Sequence, residues 1–337
     1  MRYGLPDVEI IESALTLAVR APSVHNTQPW RFRVVDRGLR LYADRARALR
    51  VTDPDQRDLL LSCGAVLHHL RIAFASLGWS TVVDRMPDPH RPDHLATVEL
   101  VRNRPTMTDI ALGAAITRRR TDRRSFTAEP IPQGYLGLMT ERAAANGASV
   151  RQAAYESRRT LVETMYEAAR RHTGDHEYEL ELAEWSGRQG GTDGVRSAST
   201  PRARRGRAIP SRIFASPRLV DTSREPDYAE LLVLGTVGDS RLSRLQAGEA
   251  LSAVLLTATN IGLSTCLLTE PLEVPELRHR IRAGVLDGTA HPQAIIRIGW
   301  PDSDVALPAA PRRPISEVLE MSTPPPVAPI CPRTPET

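Results

Sequence analysis

The sequence predicts an α+β fold built as two related halves. Three observations carry this: an internal repeat, the same order of helical and strand periodicities in each copy, and an insertion that only the second copy holds. The run LLLSCGAVLHHLRIAFASLGWSTVVDRMP, from Leu59, aligns with SRLQAGEALSAVLLTATNIGLSTCLLTEP, from Ser243, at a constant offset of 184 residues. Gly64 then matches Gly248, Leu67 matches Leu251, and Gly78 matches Gly262. Ser80, Thr81 and Pro87 match Ser264, Thr265 and Pro271. A repeat of this kind is the first thing to settle, because missing it misreads the whole fold.

The elements follow in order. Residues 7–20 carry apolar side chains at helical spacing, and WRFRVV and LRLYA then read as strands. The repeat unit from Leu59 is a long apolar helix, a terminating glycine and a short strand. HLATVELV supplies another strand. The second copy begins with a helix over Tyr135–Ala145 and a helical stretch over 151–185, ending near Trp185. ELLVLGTV, from Glu230, is its next strand, followed by the repeat unit from Ser243 and AIIRIGW. The division expected is a first half over 1–110 and a second over 111–320, each a mixed or antiparallel sheet flanked by helices. Between Ser186 and Pro226 lie nine arginines and three acids, in a segment rich in Gly and Ser. It is either a solvated loop or a lid over an anionic ligand. The Pro-rich tail, 323–337, should be extended or disordered.

Composition removes several mechanisms. The chain has 337 residues, 44 basic and 40 acidic, and every basic residue is arginine. Without lysine there is no P-loop clamp, no Schiff base and no kinase-type ion pair. No GxGxxG follows a strand and no GxSxG is present, so neither a dinucleotide fingerprint nor a hydrolase elbow is expected. Near-balanced charge speaks against nucleic acid. Cys63, Cys266 and Cys331 form no framework, and the N-terminal run carries acids where a signal peptide needs an apolar core. A cytoplasmic protein is expected. The uncharged stretch Ala250–Thr269 is too rich in Ser, Thr, Asn and Gly for a membrane span and reads as a core helix. His172 and His176 stand at helical spacing but lack further metal ligands, so no metal site is expected. Glu177, Glu179, Glu181 and Glu184 read as a solvated face.

Two segments remain. Ala21-Pro22-Ser23-Val24-His25-Asn26-Thr27-Gln28-Pro29-Trp30 links a helix to a strand with a cluster of small polar groups. It either caps the helix or presents those groups to a flat ring. Arg118-Arg119-Arg120-Thr121-Asp122-Arg123-Arg124-Ser125-Phe126 holds five arginines that can grip a phosphate bidentately, or form an exposed basic hinge. Arg312-Arg313-Pro314 is a third basic element.

Together these segments resemble the nitroreductase family of FMN-dependent oxidoreductases. APSVHNTQPWRF is similar to its (A/S)PSxxNxQPWxF signature and RRTDRRSF to its arginine motif. GLSTCLLTEPLE is similar to the segment beside flavin N5, and WPDSDVALPAAPRRP to the closing RxP motif. The order, QPW before RRTDRR, resembles the Acg-like branch, in which one chain holds two nitroreductase-like halves. The resemblance implies a pseudo-dimer with one complete FMN site and one ruined site, as a monomer or a homodimer of such chains. Where the second copy has Thr269-Glu270, the first has Arg85-Met86. It implies that Arg119, Thr121, Arg123 and Arg312 hold the phosphate, ribityl chain and pyrimidine edge. Pro22, Ser23 and Asn26 would approach the ring from the other half. The backbone around Thr269 and Glu270 would donate to N5. The flavin carries the chemistry, so no catalytic side chain is required. The function implied is hydride transfer from NAD(P)H through FMN to a nitro or quinone acceptor. The alternative is a flavin-sequestering protein with a lid and little turnover.

Overall fold

In the computed structural model the described residues are 6–188, 190–202, 209–210, 212–223 and 225–320. The Pro-rich tail, Cys331 and part of the arginine-rich insertion lie outside them. In chain order the first elements are α1 (Val8–Ala18), β1 (Trp30–Val35), β2 (Gly38–Ala43), α2 (Arg57–Ser76), β3 (Trp79–Arg85), β4 (His94–Arg102) and α3 (Met107–Arg118). Next come α4 (Gln133–Ala144), β5 (Ser149–Gln152), α5 (Tyr155–His172), α6 (His176–Glu184), β6 (Ser186–Arg188) and β7 (Val195–Arg196). The chain continues with β8 (Glu230–Thr236), α7 (Arg241–Asn260), β9 (Ser264–Leu268), α8 (Glu270–Glu273), α9 (Pro275–Val285) and β10 (His291–Gly299). It closes with α10 (Ile315–Val318) and β11 (Leu319–Glu320).

One topology is drawn twice. The first sheet runs β1-β2-β4-β3 and the second β5-β8-β10-β9, all antiparallel. The first sheet gains β11, which returns from the end of the chain to pair parallel with β1. This carries residues 301–320 across to the first sheet.

The helices α2 and α7 cross at the centre of the fold. Both are long, and both end before a glycine in the left-handed region, Gly78 at φ 88° and Gly262 at φ 90°. The crossing is close because two glycines meet. A Cβ on Gly64 would overlap the Leu245 carbonyl oxygen, and one on Gly248 would overlap that of Leu61. Each would also stand 2.8 Å from the other glycine's Cα. Leu61 and Leu245 are repeat partners, so the contact maps onto itself, as a two-fold interface does. On the same axis His68 and Ser252, again repeat partners, are hydrogen bonded, Nδ1 to Oγ 2.7 Å. By length and composition α2 could cross a membrane. Here it is a core helix, buried from Leu59 through Leu70.

The stretch 151–185 is not one helix. Its start is the edge strand β5, and Gly174, at φ 85°, breaks the remainder into α5 and α6. Glu181 also departs from the solvated-face reading. Its carboxylate accepts the backbone N–H groups of Arg50, Val51 and Thr52 at 2.6, 3.1 and 2.8 Å.

Candidate functional site

One cavity takes its walls from both sheets' helices and from the insertion. It has room of about 180 Å³ for the centres of water molecules. α2 contributes Asp58, Leu61, Ser62 and Ala65, one helical face. The turn after α1 contributes residues 22–26, and the run after α3 contributes 119–121 and Arg123. β9 and the start of α8 contribute 266–271. The closing arm supplies Pro311 and Arg312, and the insertion supplies Arg196, Arg212 and Phe214 among others. All nine residues singled out in the sequence line this cavity: Pro22, Ser23, Asn26, Arg119, Thr121, Arg123, Thr269, Glu270 and Arg312.

The turn after α1 is wound tightly. His25, Asn26 and Gln28 all adopt positive φ, at 46°, 57° and 52°, a conformation that costs free energy in non-glycine residues. Local bonds hold it. Ser23 Oγ accepts from Gln28 N at 2.9 Å, and Ser62 Oγ accepts from Val24 N at 3.2 Å. The Asn26 amide is fully engaged. Its Nδ2 donates to Gly194 O and Pro311 O, both at 3.1 Å, and its Oδ1 accepts from Arg312 at 2.9 Å.

At one end of the cavity four arginines converge: Arg20, Arg119, Arg120 and Arg312. Among the described residues none of them has a carboxylate partner. Arg312 spends its Nη2 on the carbonyls of Arg20 and Ala21, at 2.8 and 3.1 Å. Arg119 makes only a 3.5 Å contact with Arg20 O. The Nε atoms of Arg119, Arg120 and Arg312 are buried without partners. Burial, then Arg120 and Arg20, pull the Arg119 pKa down to about 10. Burial, then Arg119, Arg20 and Arg120, pull Arg312 down to about 9. Buried cations that repel one another call for an anion.

The rest of the arginine run does different jobs. Arg124 is locked onto Asp122 by two bonds, at 3.0 and 2.8 Å, and takes no part in the anion site. Arg123 points to the other end of the cavity, over the Phe214 ring at 4.9 Å, with Nη1 on Ser199 O at 3.1 Å. There Arg212 donates to His25 Nε2 at 2.7 Å and pairs with Glu273. His25 therefore carries its proton on Nδ1. Burial, Arg212 and Arg123 hold its pKa well below the usual imidazole range. Thr121 bridges to Thr265 of β9, and Thr269 Oγ1 donates to Glu273 at 3.1 Å. Glu270 faces His172, Oε1 to Nδ1 3.2 Å.

The insertion lies across the cavity rather than away from it. Gln28 Nε2 donates to Thr192 O at 2.9 Å, and Arg47 pairs with Asp193. Arg20, Asp58, Arg212 and Phe214 also line the walls and were not singled out from the sequence, whereas His25 and Arg120 were quoted within their motifs without a role of their own. Arg212 is one of nine arginines in its segment, and nothing local distinguishes it. Arg20 could have been found, since it directly precedes the polar turn.

No family model matches the chain. Among curated proteins, Mycobacterium tuberculosis (strain H37Rv) Rv3131 is 47% identical over 324 residues, covering 95% of this chain and 94% of the relative. Its name marks it provisionally as an NAD(P)H nitroreductase. The chain belongs to the nitroreductase family. Within it, the similarity is to the Acg-like branch: Acg, which bears the same provisional name, is 36% identical over 93% of this chain and 96% of its own length. Among solved structures, a Bacteroides fragilis nitroreductase with bound FMN is 13% identical over 58% of this chain and 91% of its own, with a TM-score of 0.36. In this Acg-like nitroreductase the motif residues and the four arginines share one cavity.

Proposed function

We propose that the protein is an FMN-dependent NAD(P)H oxidoreductase with one flavin site between its two halves. The observation that carries this is the arginine quartet, which has no carboxylate partner among the described residues and three of whose Nε donors are buried without a partner, an arrangement that suits a phosphomonoester. Arg20, Arg119, Arg120 and Arg312 would hold the phosphate. Thr121 and Arg123 would follow the ribityl chain and the pyrimidine edge, where a cation favours negative charge on the ring. Pro22, Ser23 and Asn26 would lie against the ring, with the backbone at Thr269 and Glu270 along its N5 edge. Bound FMN supplies the hydride chemistry, from a reduced nicotinamide to a nitro or quinone acceptor.

Its single-site character is supported by what stands at the repeat-related place. Ala65 lines the cavity, whereas its counterpart at the offset of 184 residues is Glu249, 1% exposed. Glu249 binds Arg85 at 2.6 Å and Arg71 at 2.8 Å. Arg85 is the counterpart of Thr269. A carboxylate and two guanidiniums thus fill the space that small side chains leave open on the other side. The test is direct. The purified protein should be yellow, release FMN, and bleach under anaerobic NADPH or NADH. Flavin that stays oxidised with both would end the reductase reading.

The insertion favours a second reading, flavin sequestration with little turnover. Arg212, Phe214 and Gly194 line the cavity, and an insertion closed over it would exclude a nicotinamide. Deleting residues 187–224 should then speed reduction; unchanged kinetics would argue against a lid.

A further inference from the structure

We infer that Glu270 and His172 form a proton path from solvent into the cavity, with Glu270 the group that protonates the bound acceptor. The inference rests on the oxidoreductase reading above and names a catalytic side chain where the flavin alone was expected to suffice.

A quinone or nitro group that takes a hydride equivalent from a reduced nicotinamide must also take a proton. Described residues of the insertion, Arg196, Arg212 and Phe214 among them, line the cavity, so side chains there are natural proton carriers. The titratable groups on the cavity wall, arginines aside, are His25, Asp58, Cys266 and Glu270. The His25 Nε2 lone pair is occupied by Arg212. Asp58 is 1% exposed and held by Arg57 at 2.5 Å. Cys266 is buried. Glu270 differs from all three: its carboxylate meets a second titratable group that itself reaches the surface. His172 Nδ1 lies 3.2 Å from Glu270 Oε1, and the two side chains are 14% and 13% exposed. His172 ends α5, and its ring is stacked on Tyr178 of α6, centroids 3.9 Å apart and 16° from parallel. That stacking fixes Nδ1 toward Glu270 and leaves Nε2 on the opposite edge.

Among the described residues the charged groups around the pair are few. Glu270 and Glu273 come from α8, and Glu273 is neutralised by Arg212 of the insertion. Tyr178 comes from α6. Next to His172, Arg171 is paired to Glu167 and to Glu276 of α9. The step balances simply. The proton leaves a Glu270 oxygen and ends on the reduced oxygen of the acceptor. The carboxylate left behind takes a proton from the His172 imidazolium, and water recharges the ring.

The experiment uses FMN-loaded protein, reduced photochemically so that nicotinamide access does not matter, then mixed with p-benzoquinone. Loss of a general acid typically costs a factor of about 10² or more. His172→Gln should keep wild-type FMN affinity, slow reoxidation about 100-fold and flatten its pH profile. Glu270→Gln should slow it similarly. Added imidazole should restore much of the rate to His172→Ala. In cofactor-free protein, the His172 ring resonances should move in Glu270→Gln, because the ring loses the carboxylate that faces its Nδ1. Wild-type reoxidation rates and pH profiles in both variants would overturn the inference, as would His172 ring resonances blind to Glu270→Gln. A protein that binds no FMN would sink the preceding reading and this one together, whereas normal binding with unchanged reoxidation sinks this one alone.

Discussion

Arg119 is buried, charged and almost without hydrogen bonds, so cofactor-free and cofactor-bound protein should respond to its loss with opposite signs. Arg119→Met keeps the apolar stem's volume and removes the repulsion with Arg20 and Arg120. Thermal unfolding of the cofactor-free protein should therefore shift upward. FMN binding should weaken by about 10- to 100-fold, the value of about 1.5–3 kcal/mol for a charged hydrogen bond, read by flavin fluorescence. The pH sign agrees. A base whose folded pKa is lowered to about 10 carries its full penalty at neutral pH, and relief comes only as pH rises above that value. At this scale the sequence was most legible where motifs are short and contiguous. Pro22, Ser23 and Asn26 occupy one turn, and Arg119 to Arg123 one run, so reading them together was enough. Arg212 and Glu273 were not legible, because their pairing joins a loop to a helix 61 residues away. His25 was quoted with its motif, but its burial under Arg212 depends on that same loop.

At the scale of elements, the α2–α7 crossing and the insertion behave as opposites. The two helices were legible as repeat partners, and the glycine repeated at a fixed offset inside them, which costs helix stability, is where their backbones meet. Alanine is favoured over glycine within helices by up to about 1 kcal/mol. Gly137, on the exposed face of α4, should show that gain, since a methyl added there would meet nothing within 4 Å. Gly137→Ala should raise the melting temperature slightly. Gly64→Ala should do the reverse and severely, because its methyl would overlap the Leu245 carbonyl and part the two helices. Recovery of soluble protein and calorimetry on the pair separate the two effects. The insertion was harder to read. Its composition allowed both a solvated loop and a lid, and only tertiary contacts distinguish them: Asn26 to Gly194, Gln28 to Thr192, Arg47 to Asp193. The edge strand β5 was hidden for a related reason. It is four residues long and runs without a turn signal into a strongly helical sequence.

The whole molecule holds three histidines that cannot charge in place. Burial, together with neighbouring arginines, lowers His25 and His69 well below the ordinary value and His68 to about 3. Below about pH 6.5 the unfolded chain takes these protons and the folded chain does not. Stability should therefore fall on acidification by about 1.4 kcal/mol per pH unit for each of them. His68→Gln should flatten a plot of melting temperature against pH between about 6 and 4. Two of these histidines lie where the halves meet, so acid loosens the junction on which a shared cavity depends. The same junction governs stoichiometry. The repeat produces two equivalent places, but the sequence has diverged at each in a different direction. One keeps Ala65, Thr269 and the arginine quartet; the other holds Glu249, whose single carboxylate is shared by Arg71 and Arg85. Saturating reconstitution should give one FMN per chain by absorbance. Glu249→Ala should lower stability by leaving Arg71 and Arg85 without their carboxylate, yet the count should stay at one, because emptying a space does not supply the four converging arginines. Two FMN per chain, in the wild type or in that variant, would mean that the second place still binds flavin and that its residues have not been lost to the site.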